Sequence, residues 1–157
     1  MPAEPSLAES GDLPRAVAED SAQAPLLGGL PNFDRRQRAA LRAIGRSLLT
    51  AGQYAQARAV FAALLHLDPT HLADLAAAAE AFQAEGKPAQ AASLLQVCLL
   101  LGGREPDIPL RLAECQLALG YPPAARIALD LAEEYAVRSE NAMALARIAL
   151  MRNGMVT

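Results

Sequence analysis

The chain has 157 residues, enough for one domain with a modest core. Hydrophobic residues make up 53% of the sequence but aromatic residues only 4%, a balance that favours alanine-rich helices in close contact over strands. The formal net charge of −3 provides no electrostatic attraction to nucleic acid or to acidic lipid, so we expect neither as a partner.

Three features of the sequence predict where the protein resides. The longest apolar run, residues 94–101, is far shorter than the roughly 20 residues of a membrane-spanning helix, so stable membrane insertion is not expected. The first residues include Glu4 and Glu9 and no basic segment before an apolar run, so we expect no signal peptide. Cys98 and Cys115 lie in predicted helices as buried thiols, which favours a reducing compartment. The sequence therefore predicts a cytoplasmic protein.

Residues 1–31 differ in composition from the rest of the chain. Five prolines interrupt this stretch, and its acidic residues outnumber the single basic residue, Arg15. These features predict an acidic, largely flexible N-terminal arm. Leu26, Leu27 and Leu30 form an apolar island on the arm, which we expect to dock on its own domain or, in a homodimer, on a second copy.

A repeat with a period of 34 residues follows the arm. Gly52 recurs as Gly86 and Gly120 at a predicted turn, where glycine permits backbone angles that other residues resist. Small residues recur where two helices are expected to cross, and a large apolar residue recurs between one unit and the next. These positions are Gly45, Ala79 and Ala113; Ala57, Ala91 and Ala125; and Phe61, Leu95 and Leu129. A period of about 34 is that of the tetratricopeptide repeat, a helix–turn–helix unit.

The period predicts an all-α fold in which three tetratricopeptide repeats within residues 32–138 form a short right-handed helical solenoid. The three units are residues 38–71, 72–105 and 106–138. Residues 139–152 are predicted to form a C-terminal capping helix, because the last unit of a solenoid needs its exposed end covered.

The first unit shows the helical pattern most clearly. Its first helix is predicted to start near Asp34, with Leu41, Ile44 and Leu48 on the face that turns toward the core. The opposite face carries Arg35, Arg38, Arg42 and Arg46. The second helix is predicted to run from Tyr54 to Leu67, because the residue before Pro69 avoids the helical region.

The sequence contains no pattern typical of catalysis. His66 and His71 flank a turn near Asp68 and Asp74, but no further strong ligand converges on them, so we expect no metal site. No nucleophile–base arrangement, phosphate-binding loop or dinucleotide fingerprint is present. We therefore expect neither an enzyme nor a cofactor.

Since no catalytic pattern is present, we expect the chain to act through a binding surface. In a stack of helix pairs, the first helix of each pair lines the concave side. The register places nine residues there: Arg42, Arg46, Leu49, Ala76, Glu80, Gln83, Leu110, Glu114 and Leu117. The small and apolar members are expected to form shallow pockets for a guest, and the charged members to bond its backbone. The alternative is that these charges only solvate an exposed face.

Two runs of sequence resemble the class II chaperones of bacterial type III secretion, which handle the pore-forming translocators. One is Gly52-Gln53-Tyr54 with Val60-Phe61-Ala62-Ala63-Leu64; the more specific one is residues 105–117, Glu-Pro-Asp-Ile-Pro-Leu-Arg-Leu-Ala-Glu-Cys-Gln-Leu. The resemblance covers roughly residues 26–152. It departs from the family on the first groove helix, where the family often has aromatic residues and this chain has Arg42, Arg46 and Leu49.

The resemblance implies a cytoplasmic bacterial chaperone. Its concave groove would bind an extended, proline-containing segment near the N-terminus of a hydrophobic translocator and keep that guest soluble before export. The family commonly dimerises through its N-terminal region, which implies a homodimer here. The second hypothesis is a generic tetratricopeptide scaffold that joins two other proteins.

Overall fold

The computed structural model describes residues 33–156, and within that range it contains seven α-helices and no strand. The helices are α1 (Arg35–Thr50), α2 (Tyr54–Leu67), α3 (Leu72–Ala84), α4 (Pro88–Leu100), α5 (Asp107–Ala118), α6 (Pro122–Arg138) and α7 (Ala142–Gly154). The predicted all-α fold is confirmed. The predicted N-terminal arm, with Leu26, Leu27 and Leu30, lies outside the described residues.

Consecutive helices pack against each other from α1 to α7, so that α1–α2, α3–α4 and α5–α6 form successive pairs. A glycine at a positive φ ends the first helix of each pair: Gly52 at 74°, Gly86 at 71° and Gly120 at 79°. In the first pair, the N–H of Gly52 donates to the carbonyl of Leu49 and the N–H of Gln53 to that of Leu48. Equivalent bonds close the other two turns, so the same C-terminal motif reverses the chain in every unit.

The nine positions of the 34-residue register are all buried, as predicted. A close contact occurs in the first pair, where a Cβ added to Gly45 would lie 2.7 Å from the Phe61 ring. Alanine occupies the matching crossings in the other pairs, at Ala79 and Ala113, both without exposed surface. Helix spacing within each pair is therefore limited by the size of one side chain.

One part of the predicted core stripe of α1 is wrong. Leu41 and Leu48 pack against the cluster around Phe61, but Ile44 is 51% exposed. The contacting stripe of α1 runs along Leu41, Gly45 and Leu48, at spacings of four and three residues. Ile44 lies at the margin of that stripe, beyond the reach of α2 and α3.

The last helix starts three residues later than predicted, at Ala142 instead of Ser139. The preceding helix α6 continues to Arg138, and the hydroxyl of Ser139 donates to the carbonyl of Tyr135 at 2.8 Å. The side chain of Asn141 then accepts from the N–H of Ala144 at 3.0 Å and begins α7.

Cys98 and Cys115 are free thiols buried in the core, as expected. Burial raises the pKa of both thiols above the ordinary value, since the apolar surroundings disfavour the thiolate. Both side chains therefore act as small apolar core residues at neutral pH.

A buried ion pair joins the first two helix pairs. Arg42 of α1 donates from Nε to Oδ1 of Asp74 at 2.8 Å and from Nη2 to Oδ2 at 2.8 Å. The carboxylate of Asp74, on α3, is only 1% exposed. The hydrogen bonds to Asp74 raise the pKa of the Arg42 guanidinium above its ordinary value.

The crossing of α1 and α2 gives a first prediction. Gly45→Val should lower the free energy of unfolding by about 1–3 kcal/mol, because the added methyl groups overpack the Phe61 ring. Ala43→Val is the matched control, since Ala43 is exposed on the same helix. Urea unfolding followed by circular dichroism measures both, and equal midpoints would show that this crossing is not tight.

The ion pair between α1 and α3 gives a second prediction. Arg42→Met leaves the buried carboxylate of Asp74 without its guanidinium and should cost about 1–3 kcal/mol, less than a fully buried pair because Arg42 is partly exposed. Arg36→Met removes an exposed arginine from the same helix and should cost far less. The account of this pair is wrong if the two variants unfold at the same denaturant concentration.

Candidate functional site

The first helices of the pairs, α1, α3 and α5, together with α7, form one face of the described domain, here called the first-helix face. A cleft of about 290 Å³ opens on it. The cleft is lined by Arg46, Leu72, Ala73, Ala76, Ala77, Glu80, Glu105, Asp107, Ile108 and Arg111. Three of the nine residues predicted for the groove are among these: Arg46, Ala76 and Glu80.

One wall of the cleft consists of small side chains. Ala73, Ala76 and Ala77 come from a single stripe of α3, and Ile108 at the start of α5 also lines the cleft. Alanine side chains let another backbone approach a helix closely, while the exposed side chains of Arg46 and Glu80 stay at the rim. The cleft can therefore receive an extended segment with apolar side chains.

A chain of polar side chains crosses the first-helix face from α3 to α7. Arg111 on α5 donates to the side-chain carbonyl of Gln83 and to the backbone carbonyl of Ala76, both at 3.2 Å. Gln83 donates to Glu114 at 2.9 Å, and Arg147 on α7 donates to Glu114 at 2.8 Å. These contacts connect α3, α5 and α7.

Most of the polar residues predicted to bond a guest are thus engaged within the domain. Arg42 pairs with Asp74, and Gln83 and Glu114 bond to each other. Arg46 and Glu80 make no salt bridge with another described residue. These two are the members of the predicted polar set that remain at the rim of the cleft.

One of the three predicted leucines is covered by the domain, and the other two are partly exposed. Leu110 has no exposed surface and belongs to the apolar cluster that includes Ile148 of α7, so the prediction that it lines an open groove is wrong. Leu49 packs against the cluster around Phe61. Leu117 lines a second, apolar cleft with Pro122, Met151 and Met155, separate from the first.

Sequence reasoning missed most of the α3 wall and the residues at the start of α5. Ala73 and Ala77 stand three residues before and one residue after Ala76, so helical periodicity around Ala76 was the available signal. Arg111 follows directly on Leu110 as a charged residue inside the apolar run 108–113. Its buried position could have been suspected from that contrast alone.

At the turn that His66 and His71 flank, one histidine forms a hydrogen bond with the backbone. His71 caps α3, with its Nδ1 accepting from the N–H of Asp74 at 3.3 Å. No group of three metal-ligating side chains occurs among the described residues. None of the helices in residues 33–156 is long and apolar enough to cross a membrane.

No protein-family model matches the chain, and neither does any curated protein. Several solved structures match the chain. PcrH in complex with the chaperone binding region of PopB is 26% identical, with a TM-score of 0.74 over 78% of this chain and 99% of PcrH. PcrH from Pseudomonas aeruginosa alone gives 25% identity and a TM-score of 0.77 over 82% of this chain and 98% of PcrH.

The Yersinia enterocolitica type III secretion chaperone SycD, in complex with a peptide of the translocator YopD, is a further similar structure. It is 25% identical, with a TM-score of 0.74 over 79% of this chain and 95% of SycD. The resemblance predicted from the sequence is thereby confirmed. The chain has the tetratricopeptide-type fold of the class II translocator chaperones of type III secretion.

Proposed function

We propose that this protein is a chaperone that binds an extended segment of a hydrophobic type III secretion translocator in the cleft of the first-helix face. The similarity to PcrH and SycD, both solved with translocator segments bound, carries the proposal. The cleft between α1, α3 and α5 is a surface of the described domain that suits such a segment.

The physical logic rests on what an export substrate needs before it reaches the membrane. A translocator with apolar segments aggregates in water unless those segments are covered. Covering an extended segment also removes its backbone N–H and C=O groups from water, and each then needs a partner. The alanine wall of α3 supplies the apolar contact, and Arg46, Glu80 and Arg111 supply polar atoms beside it.

The proposal includes a non-catalytic role in the bacterial cytoplasm, where translocators are made. A generic scaffold that joins two folded proteins is the less favoured reading, because the similar structures above hold translocator segments. A scaffold of that kind would bind folded partners and leave isolated translocator segments free.

A charge placed in the alanine wall tests the site. Ala76→Glu puts a carboxylate where the guest's apolar side chains would lie, and burying that charge under a guest should lower the affinity roughly tenfold or more. Gln90→Glu, on the exposed start of α4, is the control and should bind like the unmodified protein. The probes are the chaperone binding regions of PopB and PopD and the YopD peptide, titrated by fluorescence anisotropy.

Helicity and unfolding midpoint are measured in parallel to confirm that both variants fold. If the unmodified protein binds none of the three probes, the chaperone function is contradicted. If Ala76→Glu and Gln90→Glu bind equally well, the cleft is not the binding site, and the guest must occupy another surface.

We also propose a homodimer formed through the apolar island Leu26, Leu27 and Leu30, which lies outside the described residues. A contiguous apolar patch on a protein surface commonly marks an interaction site. A crystal structure of SycD shows an alternative dimer, which supports the idea by similarity of fold.

Light scattering at micromolar concentration tests the dimer. The full chain should have twice its mass of 16.5 kDa, and a triple variant with serine at Leu26, Leu27 and Leu30 should be monomeric. Serine at Leu7 and Leu13, elsewhere in the same N-terminal stretch, is the control and should leave the dimer intact. A monomeric full chain, or a triple variant that stays dimeric, would contradict the proposal.

A further inference from the structure

The cleft contains a buried guanidinium that is incompletely bonded. Arg111 is only 9% exposed, although it is charged. Its Nε and Nη1 donate to the carbonyls of Gln83 and Ala76, both of which are neutral acceptors. Its Nη2 is buried and has no hydrogen-bond partner among the described residues. No salt bridge joins Arg111 to a carboxylate in the described part of the chain.

Such an arrangement is uncommon in a folded domain. Buried N–H groups almost always have an acceptor, so one that lacks a partner within the domain requires an explanation. Arg111 lines the cleft, so a bound segment lies beside this side chain, and an oxygen atom of that segment is the candidate acceptor once Nη2, buried in the free domain, turns toward it.

The charges around the cleft decide which oxygen fits. Glu80, Glu105 and Asp107 line it together with two arginines, Arg46 and Arg111. The lining residues carry three negative and two positive charges, so they offer a guest carboxylate no net attraction, whereas a neutral backbone carbonyl is not repelled as an anion by the three carboxylates. Arg111 already holds one backbone carbonyl, that of Ala76, on the same guanidinium.

We propose that Arg111 Nη2 donates a hydrogen bond to a backbone carbonyl of the bound segment and fixes that segment against the alanine wall of α3. The proposal rests on the proposed function, in which the cleft binds an extended segment. An extended segment has no internal partners for its carbonyls, so it presents acceptors at regular intervals.

A backbone contact carries no side-chain preference, and this gives the proposal a distinctive consequence. Arg111 should contribute to the binding of different segments by a similar factor, whatever their side chains. A contact with a guest carboxylate would instead favour the segments that carry an acidic residue, and salt would weaken it.

The experiment compares Arg111→Met with the unmodified protein on the PopB and PopD regions and the YopD peptide. Loss of a charge-assisted hydrogen bond should lower the affinity for each probe about tenfold, and this factor should change little between low and high salt. Arg126→Met, an exposed arginine on α6, is the matched control and should bind all three normally. Arg111→Lys, which keeps the charge but not the fork of donors, should fall between the two.

A second measurement separates a direct contact from a loss of structure. In the tightest-binding probe, backbone amides are replaced one at a time by esters, which makes the preceding carbonyl a weaker acceptor. One ester position should weaken binding to the unmodified protein and have no further effect on Arg111→Met. Damage to the fold alone would leave the ester effect unchanged in that variant.

The outcomes are distinct. Binding of no probe by the unmodified protein contradicts the proposed function itself. Equal binding by Arg111→Met and Arg126→Met contradicts only the role of Arg111. A loss confined to acidic probes and removed by salt overturns the backbone carbonyl in favour of a carboxylate.

Discussion

The close approach of two helices at a residue with almost no side chain is the constraint on which the domain depends. In the first pair the two helices approach at Gly45, which packs against Phe61. Ala79 and Ala113 occupy the equivalent positions in the other two pairs. Because the crossing recurs every 34 residues, each pair stacks on the next in the same orientation, and the first helices come to lie side by side. The cleft between α1, α3 and α5 is a consequence of that stacking.

Polar contacts between the helices of the first-helix face determine which side-chain atoms remain available to a partner. Arg42 with Asp74 joins α1 to α3, and the chain from Arg111 to Arg147 joins α3, α5 and α7. The side-chain atoms that hold successive units together are not free to bond a guest. Only a few lining residues keep polar atoms that are not bonded within the domain. Specificity for a guest therefore depends on the alanine wall and on the position of those few atoms.

Periodicity in the sequence was sufficient to predict the buried register, because the register depends on contacts that repeat in every unit. The end of α2 was predictable from Pro69, a local signal. It could not predict that Leu110 is covered, since α7 packs against α5 once, at the end of the solenoid, and outside the period. Nor could it pair Arg42 with Asp74, which are 32 residues apart on different helices and share no local pattern. Helix contacts that occur only once in the fold can be identified only from the three-dimensional structure.

The central claim is that a guest lies along α3 and the start of α5. Paramagnetic relaxation enhancement tests it most directly: a nitroxide on the bound PopB region broadens the amide signals of nearby chaperone residues. The account predicts the strongest broadening at Leu72–Glu80 and at Asp107–Arg111, with α4 and α6 little affected. Broadening centred on α4 and α6 would contradict it, because those helices contribute nothing to the cleft.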